Sequence, residues 1–447
     1  MLSVDRNSIN ATIYFLEATT TFVVVKKYSS VNEYLEILYK YYRGYIAIFL
    51  KVSPMYWIAY VFPRDNNLWI FGSYDNSFDG NAKYLFIYVN QSMPDIKAVW
   101  IAKDKQIVGM IKGIGLKAQT KHSLFGYYYT LRASVYFYNN TFCNIDQWNS
   151  SGAIRFNLWH GIPLKKIEYD QHPNKKLTVY DGNIKKRVFN IDLYKRHDFV
   201  LSTSDAVSNI LSGAFKVSQE KCVAFGYPRV EIFLKSKEEV LRFIKAYEPQ
   251  NTQYLVNKLS CYSKVFVYMP TWRDDGSNFI EASGIDFMLL NEVLKANNYL
   301  FLFKFHHHTE IGINTNLSNI ILLDNNLDIY PILPFTDYLI TDYSSIYFEY
   351  LLLNKEILFF CFDLEDYLKL NRKMYFDYES ITPGRKIYNF KELIELIESK
   401  ENLRNLDYSK QRQELLDKLW IKNTKESSKN IVNFVDLMLK AGLCLLK

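Results

Sequence analysis

Two apolar runs in this chain stop at polar clusters. Phe303-Lys304-Phe305-His306 closes the first, and Thr341-Asp342-Tyr343-Ser344-Ser345 closes the second. Both read as buried parallel strands breaking into loops, which is where open α/β sheets place their ligands. Ser344 and Ser345 open a helix, so two hydroxyls stand beside free backbone N–H groups at the positive end of the helix dipole, a site suited to phosphate. Glu349 lies four residues past Ser345 and shares its face, where a carboxylate can accept hydrogen bonds from a ribose diol. The same residues also fit a simple helix cap with a solvated glutamate.

Four further loop clusters carry chemistry. Trp159-His160-Gly161 ends a strand, so the His160 imidazole sits on a turn; with an ordinary pKa near neutrality it suits a general base, and equally a structural histidine. Gly226-Tyr227-Pro228-Arg229 places a guanidinium after a rigid turn, a fork of donors for phosphate. Pro270-Thr271-Trp272-Arg273 repeats that pattern after another strand. His306-His307-His308 has the wrong spacing for zinc, because neighbouring side chains on an extended chain point to opposite faces; no metal is expected.

The elements that must position these residues alternate along most of the chain. LWIFGS, AVWIA, SVYFYNN, FNLWHG, DFVLST and VAFGYP read as strands of one α/β half, with helices such as Ala82–Asn90 between them. KVFVYMP, YLFLFKFH, NIILLD, DYLIT and EILFF read as strands of a second, with a helix over Ile285–Asn297. At 447 residues, two cores are expected. The expected division is an extension over residues 1–65, a first Rossmann-like unit over 66–240 and a second over 241–447. Apolar residues at 49% and charged residues at 23% mark a globular protein. Five scattered cysteines suggest neither a disulfide framework nor a zinc site, and a reducing compartment fits best.

Net charge is +7, but Lys185, Lys186, Arg187, Lys195, Arg196 and His197 crowd together just after Lys175 and Lys176, a cluster able to hold a polyanion or simply to face solvent. Tyr45 to Phe62 is apolar and aromatic, yet Lys51 and Pro54 interrupt it and it falls short of a membrane span. With Lys26, Lys27, Lys40 and Arg43 upstream, it suits attachment to an anionic lipid surface, or a buried helix. The polar first ten residues do not read as a signal peptide, which points to an intracellular protein.

Taken in order, FDGNAKYLF, FNLWHGIPLKKI, GYPR, YMPTWRDD, FKFH, TDYSSIYFEYLLLNKEILFFCFDLEDY and the Pro383-Gly384-Arg385 turn resemble the CDP-glycerol glycerophosphotransferases that build teichoic acids and related capsular polymers. The resemblance spans roughly Leu68 to Lys386. It implies a GT-B-like α/β architecture, with two Rossmann-type domains facing a cleft and an N-terminal extension. It also implies a donor, CDP-glycerol or its cousin CDP-ribitol, bound mainly by the C-terminal domain. By the same resemblance His160 is the base that deprotonates the acceptor hydroxyl, and Trp159, Gly161 and Pro163 shape its loop. Arg229 meets the donor phosphates, and Thr271 and Arg273 line the nucleotide pocket. Lys304 and His306 flank the pyrophosphate, Ser344 and Ser345 bind phosphate, and Glu349 holds the ribose. Two positions depart from the family pattern: His306 is followed by His307 where proline is usual, and Glu349 stands where aspartate is usual.

The expected reaction transfers glycerol phosphate to a hydroxyl of a polyanionic or lipid-linked glycan acceptor, releasing CMP. It needs no cofactor and no nucleic acid, and would run at the cytoplasmic face of the membrane on a peripheral enzyme. Competing readings are a ribitol phosphate transferase, a GT-B glycosyltransferase using a sugar nucleotide, and a non-enzymatic, membrane-bound subunit that binds polyanions.

Overall fold

The computed structural model describes residues 55–74, 77–171, 197–271, 273, 279–305, 317–370, 373–399 and 408–442. His306 to His308, most of the basic cluster and the chain before residue 55 lie outside the described residues. Seven parallel strands form the first sheet: β1 (Asp65–Gly72), β2 (Lys97–Ala102), β3 (Ala118–Thr120), β4 (Ala133–Tyr138), β5 (Ile154–Asn157), β6 (Phe199–Ser202) and β7 (Cys222–Ala224). Six more form the second: β8 (Lys264–Met269), β9 (Tyr299–Phe303), β10 (Ile320–Leu322), β11 (Tyr338–Thr341), β12 (Glu356–Phe360) and β13 (Arg385–Ile387). The spatial orders are β3-β2-β1-β4-β5-β6-β7 and β10-β9-β8-β11-β12-β13. Each sheet therefore reverses direction once, between β1 and β4 and between β8 and β11, and a crevice opens at the C-terminal strand ends at each reversal.

Strands buried on both faces need apolar residues at successive positions, and β4 (ASVYFY) and β9 (YLFLF) are buried throughout. Phe71 stacks on Phe137 at 4.9 Å and tilts against Phe86 of the helix Gly80–Ser92, which ties that helix to the first sheet. The last described helices return to the first unit. After the helix Ser409–Leu419, Trp420 donates to the Phe348 carbonyl at 3.0 Å, Ile421 N–H donates to the Thr203 carbonyl at 2.8 Å, and the helix Ser427–Lys440 packs Phe434 against Phe156, Phe199 and Phe225 of the first.

Further contacts cross between the two units. The fully buried Lys83 ammonium pairs with Glu248 at 2.5 Å and Asp328 at 2.9 Å, and these carboxylates hold it firmly protonated despite the cost of burial. The loop after His160 is laced to the second unit: Lys166 N–H donates to the Lys373 carbonyl at 2.8 Å, Tyr375 N–H to the Leu164 carbonyl at 2.9 Å, and Lys165 Nζ to the Tyr367 hydroxyl at 2.9 Å.

Candidate active site

His160 reaches the cleft through a strained turn. Asn157, the last residue of β5, accepts the Trp159 N–H on its side chain at 2.9 Å, and Trp159 adopts φ 51°, the left-handed region, which costs a non-glycine residue about 1–2 kcal/mol. The buried Asn81 amide opposes that cost by donating to the Leu158 and Trp159 carbonyls, each at 3.0 Å, and hydrogen bonds of this kind contribute about 0.5–1.5 kcal/mol apiece. The chain thus leaves the strand direction. The imidazole lies against the Trp159 ring, 3.9 Å between centroids, and is exposed to the cleft.

The only group near His160 Nδ1 within hydrogen-bond reach among the described residues is the Asn139 carbonyl, at 3.3 Å. A carbonyl only accepts, so Nδ1 carries the proton and the Nε2 lone pair is left for a substrate. Two influences on the ring charge oppose each other. The surrounding protein strips water from the ring and the Arg229 guanidinium repels a second positive charge, whereas the hydrogen bond to the Asn139 carbonyl favours the cation. The balance lowers the pKa to about 4, so the imidazole is neutral at pH 7.

Gly161, φ 149°, brings this loop against the second unit. A Cβ there would lie 3.5 Å from Ser345 Oγ, 3.6 Å from Arg229 Nη2 and 3.9 Å from Glu349 Oε1. Pro163 is buried behind it, between Ile162 and Leu164 of the core. Arg229, buried in the segment Pro228–Leu234, donates through Nη2 to Glu349 Oε1 at 2.6 Å and to the His160 carbonyl at 2.7 Å, and its guanidinium stacks over Tyr330 at 4.4 Å. The Tyr330 hydroxyl donates to the other Glu349 oxygen. Arg229 and Glu349 therefore meet each other across the units.

At the reversal of the second sheet, β8 runs into Thr271 and Arg273 and β11 into Asp342, Ser344 and Ser345. Thr271 N–H donates to Asp342 Oδ1 at 2.8 Å, and its hydroxyl is buried without a partner among the described residues. Arg273 is sealed from solvent: Nε meets Asp363 at 2.8 Å, Nη2 meets Asp342 and Asp363 at 3.0 Å each, and Nη1 donates to the Thr271 carbonyl at 2.7 Å. It braces the loops that shape the pocket. Ser344 and Ser345 are half-buried at the start of the helix Ile346–Tyr350; Ser344 Oγ accepts weakly from Ile346 N–H at 3.5 Å, and Ser345 Oγ has no partner among the described residues. Lys304 donates to the carbonyls of Asp324 and Asn325 at 2.7 and 2.8 Å, and burial lowers its pKa to about 8 against the pull of Asp328, Asp324 and Asp79. His306 lies outside the described residues.

His197 differs from its reading as part of the basic cluster. Its ring sits between the Tyr138 hydroxyl at 2.8 Å and Asn157 Nδ2 at 3.3 Å, and burial, with Arg155 beside it, lowers its pKa to about 3. It is neutral packing and adds no charge. Asn81, Asn139 and Lys83 are organising residues that sequence reasoning did not single out; Asn81 and Lys83 stood inside the FDGNAKYLF motif, but nothing local says what they bind. Among the described residues no group of acidic, cysteine or histidine side chains could hold a metal ion.

Two doubly wound parallel sheets meeting at the strand ends that carry His160 and Ser344-Ser345 define a GT-B-like α/β fold with an interdomain cleft. Residues 54–437 match the family described as CDP-Glycerol:Poly(glycerophosphate) glycerophosphotransferase, and the chain belongs to it. A teichoic acid poly(glycerol phosphate) polymerase of Bacillus spizizenii is 27% identical over 381 residues, covering 82% of this chain and 91% of that protein. A teichoic acid glycerol-phosphate primase of Bacillus subtilis is 26% identical over 350 residues, covering 78% and 81% respectively. The wall teichoic acid polymerase TagF, in a histidine-to-asparagine variant soaked with CDPG, shares the fold with a TM-score of 0.69 at 22% identity, over 93% of this chain and 99% of that one.

Proposed function

We propose that the protein transfers glycerol phosphate from CDP-glycerol to a hydroxyl of a lipid-linked or polymeric glycerol-phosphate or saccharide acceptor, releasing CMP, in the synthesis of a teichoic-acid-like or capsular polymer. The observation that carries this reading is a neutral His160, its Nδ1 taken up by the Asn139 carbonyl, on the loop whose next residue, Gly161, comes within contact distance of the Ser345 hydroxyl. His160 removes the proton of the acceptor hydroxyl as its oxygen attacks the β-phosphorus in line, and CMP departs from the opposite side. Phosphoryl transfer needs little covalent help from protein, so positioning and charge neutralisation carry most of the catalysis. Ser344 and Ser345 hold the donor phosphates, the Thr271 loop borders the nucleotide, and Lys304 and His306 add positive charge on the pyrophosphate side. Arg229 contributes its field from below the cleft, because its hydrogen bonds go to Glu349 and the His160 carbonyl.

We place the enzyme peripherally on the cytoplasmic face of an anionic membrane. In support, residues 55–61 form a short helix that exposes Trp57 (66%) and Val61 (77%), and the helix Leu124–Arg132 exposes Leu124 (88%) and Phe125 (65%). Arg64 ties the two together by donating to the carbonyls of Ala59, Thr130 and Ala133, each at 3.0 Å. Exposed aromatic and aliphatic side chains favour the headgroup boundary. Among the described residues no helix is long and apolar enough to cross a membrane.

The donor is tested by supplying CDP-glycerol, CDP-ribitol and a UDP-sugar in parallel with a glycerol-phosphate-primed acceptor. CMP release from CDP-glycerol is expected. Release from CDP-ribitol alone would make the enzyme a ribitol phosphate transferase, and turnover of only the UDP-sugar would overturn the reading.

A further inference from the structure

The first turn of the helix Gly80–Ser92 is hydrogen-bonded to the loop that carries the candidate base. We propose that Asn81 is a positioning residue for His160, holding the turn that presents the imidazole to the acceptor; this deepens the functional reading above and rests on it. Asn81 is completely buried, and a buried amide is costly unless its hydrogen bonds are made. Here they are made to the site alone. Nδ2 donates to the Leu158 and Trp159 carbonyls, and Oδ1 accepts the Arg229 N–H at 3.3 Å. One side chain thus fixes the peptide groups immediately before His160 and the backbone of the arginine that holds the His160 carbonyl.

A second amide fixes the helix turn and the ring together. Asn139, just past β4, accepts the Ala82 N–H on Oδ1 at 2.9 Å and donates through Nδ2 to the Asp79 carbonyl at 3.1 Å and Ser73 Oγ at 2.8 Å. Its own backbone carbonyl takes the His160 Nδ1–H. Gly80 permits this closeness, since a Cβ there would stand 2.5 Å from Asn139 Nδ2. The imidazole is therefore held from two directions, through the preceding peptides by Asn81 and through Nδ1 by Asn139. Lys83, one half-turn on, anchors the same helix to Glu248 and Asp328. Without Asn81 only the Asn157 side chain still braces the left-handed Trp159, the turn relaxes, and the imidazole shifts against the Asn139 carbonyl that fixes its tautomer.

The test compares the full-length wild type with Asn81→Ala and the isosteric Asn81→Asp, whose second oxygen would face two carbonyls. CDP-glycerol affinity is read by calorimetry, turnover by CMP release, and the His160 tautomer by ¹⁵N chemical shifts of labelled protein, with His160→Ala supplying the assignment. Turnover is expected to fall about 30- to 100-fold, as small misplacements of reacting groups do, with donor affinity within about twofold of wild type. His160 should pass from Nδ1–H to a mixture of tautomers in both variants. An unchanged tautomer, a loss of donor affinity equal to the loss of rate, or failure of both variants to fold would overturn the positioning role. A wild type inert towards CDP-glycerol would overturn the functional reading instead, and the tautomer comparison would still decide the role of Asn81.

Discussion

Glu349→Gln separates two roles for the buried carboxylate. As a ribose contact its loss would weaken donor binding and leave the fold untouched. In the structure, however, Glu349 is 1% exposed and takes one hydrogen bond on each oxygen, from Arg229 and from Tyr330. Glutamine removes the countercharge, and its NH₂ must either oppose the Arg229 N–H groups or force the Tyr330 hydroxyl to turn from donor to acceptor. Breaking a buried ion pair from one side typically costs about 3–5 kcal/mol, a large part of the total stability of about 5–15 kcal/mol. Arg229→Met should cost about as much, because it strands the carboxylate. The double variant leaves no buried charge, so its cost should fall short of the sum by at least about 2 kcal/mol, a coupling typical of direct partners. Urea denaturation followed by tryptophan fluorescence measures all three. Single losses below about 1 kcal/mol, or strictly additive ones, would refute the argument. So would a Glu349→Gln protein that unfolds like wild type but binds CDP more weakly.

Two other outcomes follow. His160 must be deprotonated to act, and its pKa in the free enzyme is lowered to about 4, so the acid limb of kcat/KM should have its midpoint near there, with activity lost only as pH falls through it. A donor pyrophosphate bound beside His160 would favour the imidazolium, so the limb of kcat should lie at higher pH; a kcat/KM limb at the ordinary histidine value would contradict the electrostatics described. Liposomes with anionic headgroups should float the full chain but not a chain beginning at Asn66, and Leu124→Glu with Phe125→Glu should weaken flotation of the full chain; equal recovery of all three would mean that these surfaces do not meet lipid.

Much of this site was legible because strand ends announce themselves. FNLWHG and DYLIT stop at Trp159-His160 and Asp342-Ser345, and the structure ends β5 and β11 within a few residues of those points. The short β3 and β13 were not seen, since three residues carry no periodicity. Partnership was harder still. Arg229 and Arg273 read as cations following turns, but sequence does not reveal that Glu349, Asp342 and Asp363 arrive from 69 to 120 positions away to meet them. Asn81 and Lys83 look like ordinary helix residues until the partners at 158, 159, 229, 248 and 328 are in place. The return of the C-terminal helices onto the first sheet was equally hidden, because an amphipathic helix shows that it packs and not against what.

The central claim is that His160 is the base of a CDP-glycerol-dependent transfer. It is tested most directly by comparing wild type and His160→Ala for CMP release from CDP-glycerol in the presence of acceptor, with CDP-glycerol affinity measured on the same samples. Loss of the base should lower turnover by at least about a hundredfold while donor affinity stays near wild type. A variant retaining more than about a tenth of the wild-type rate would contradict it.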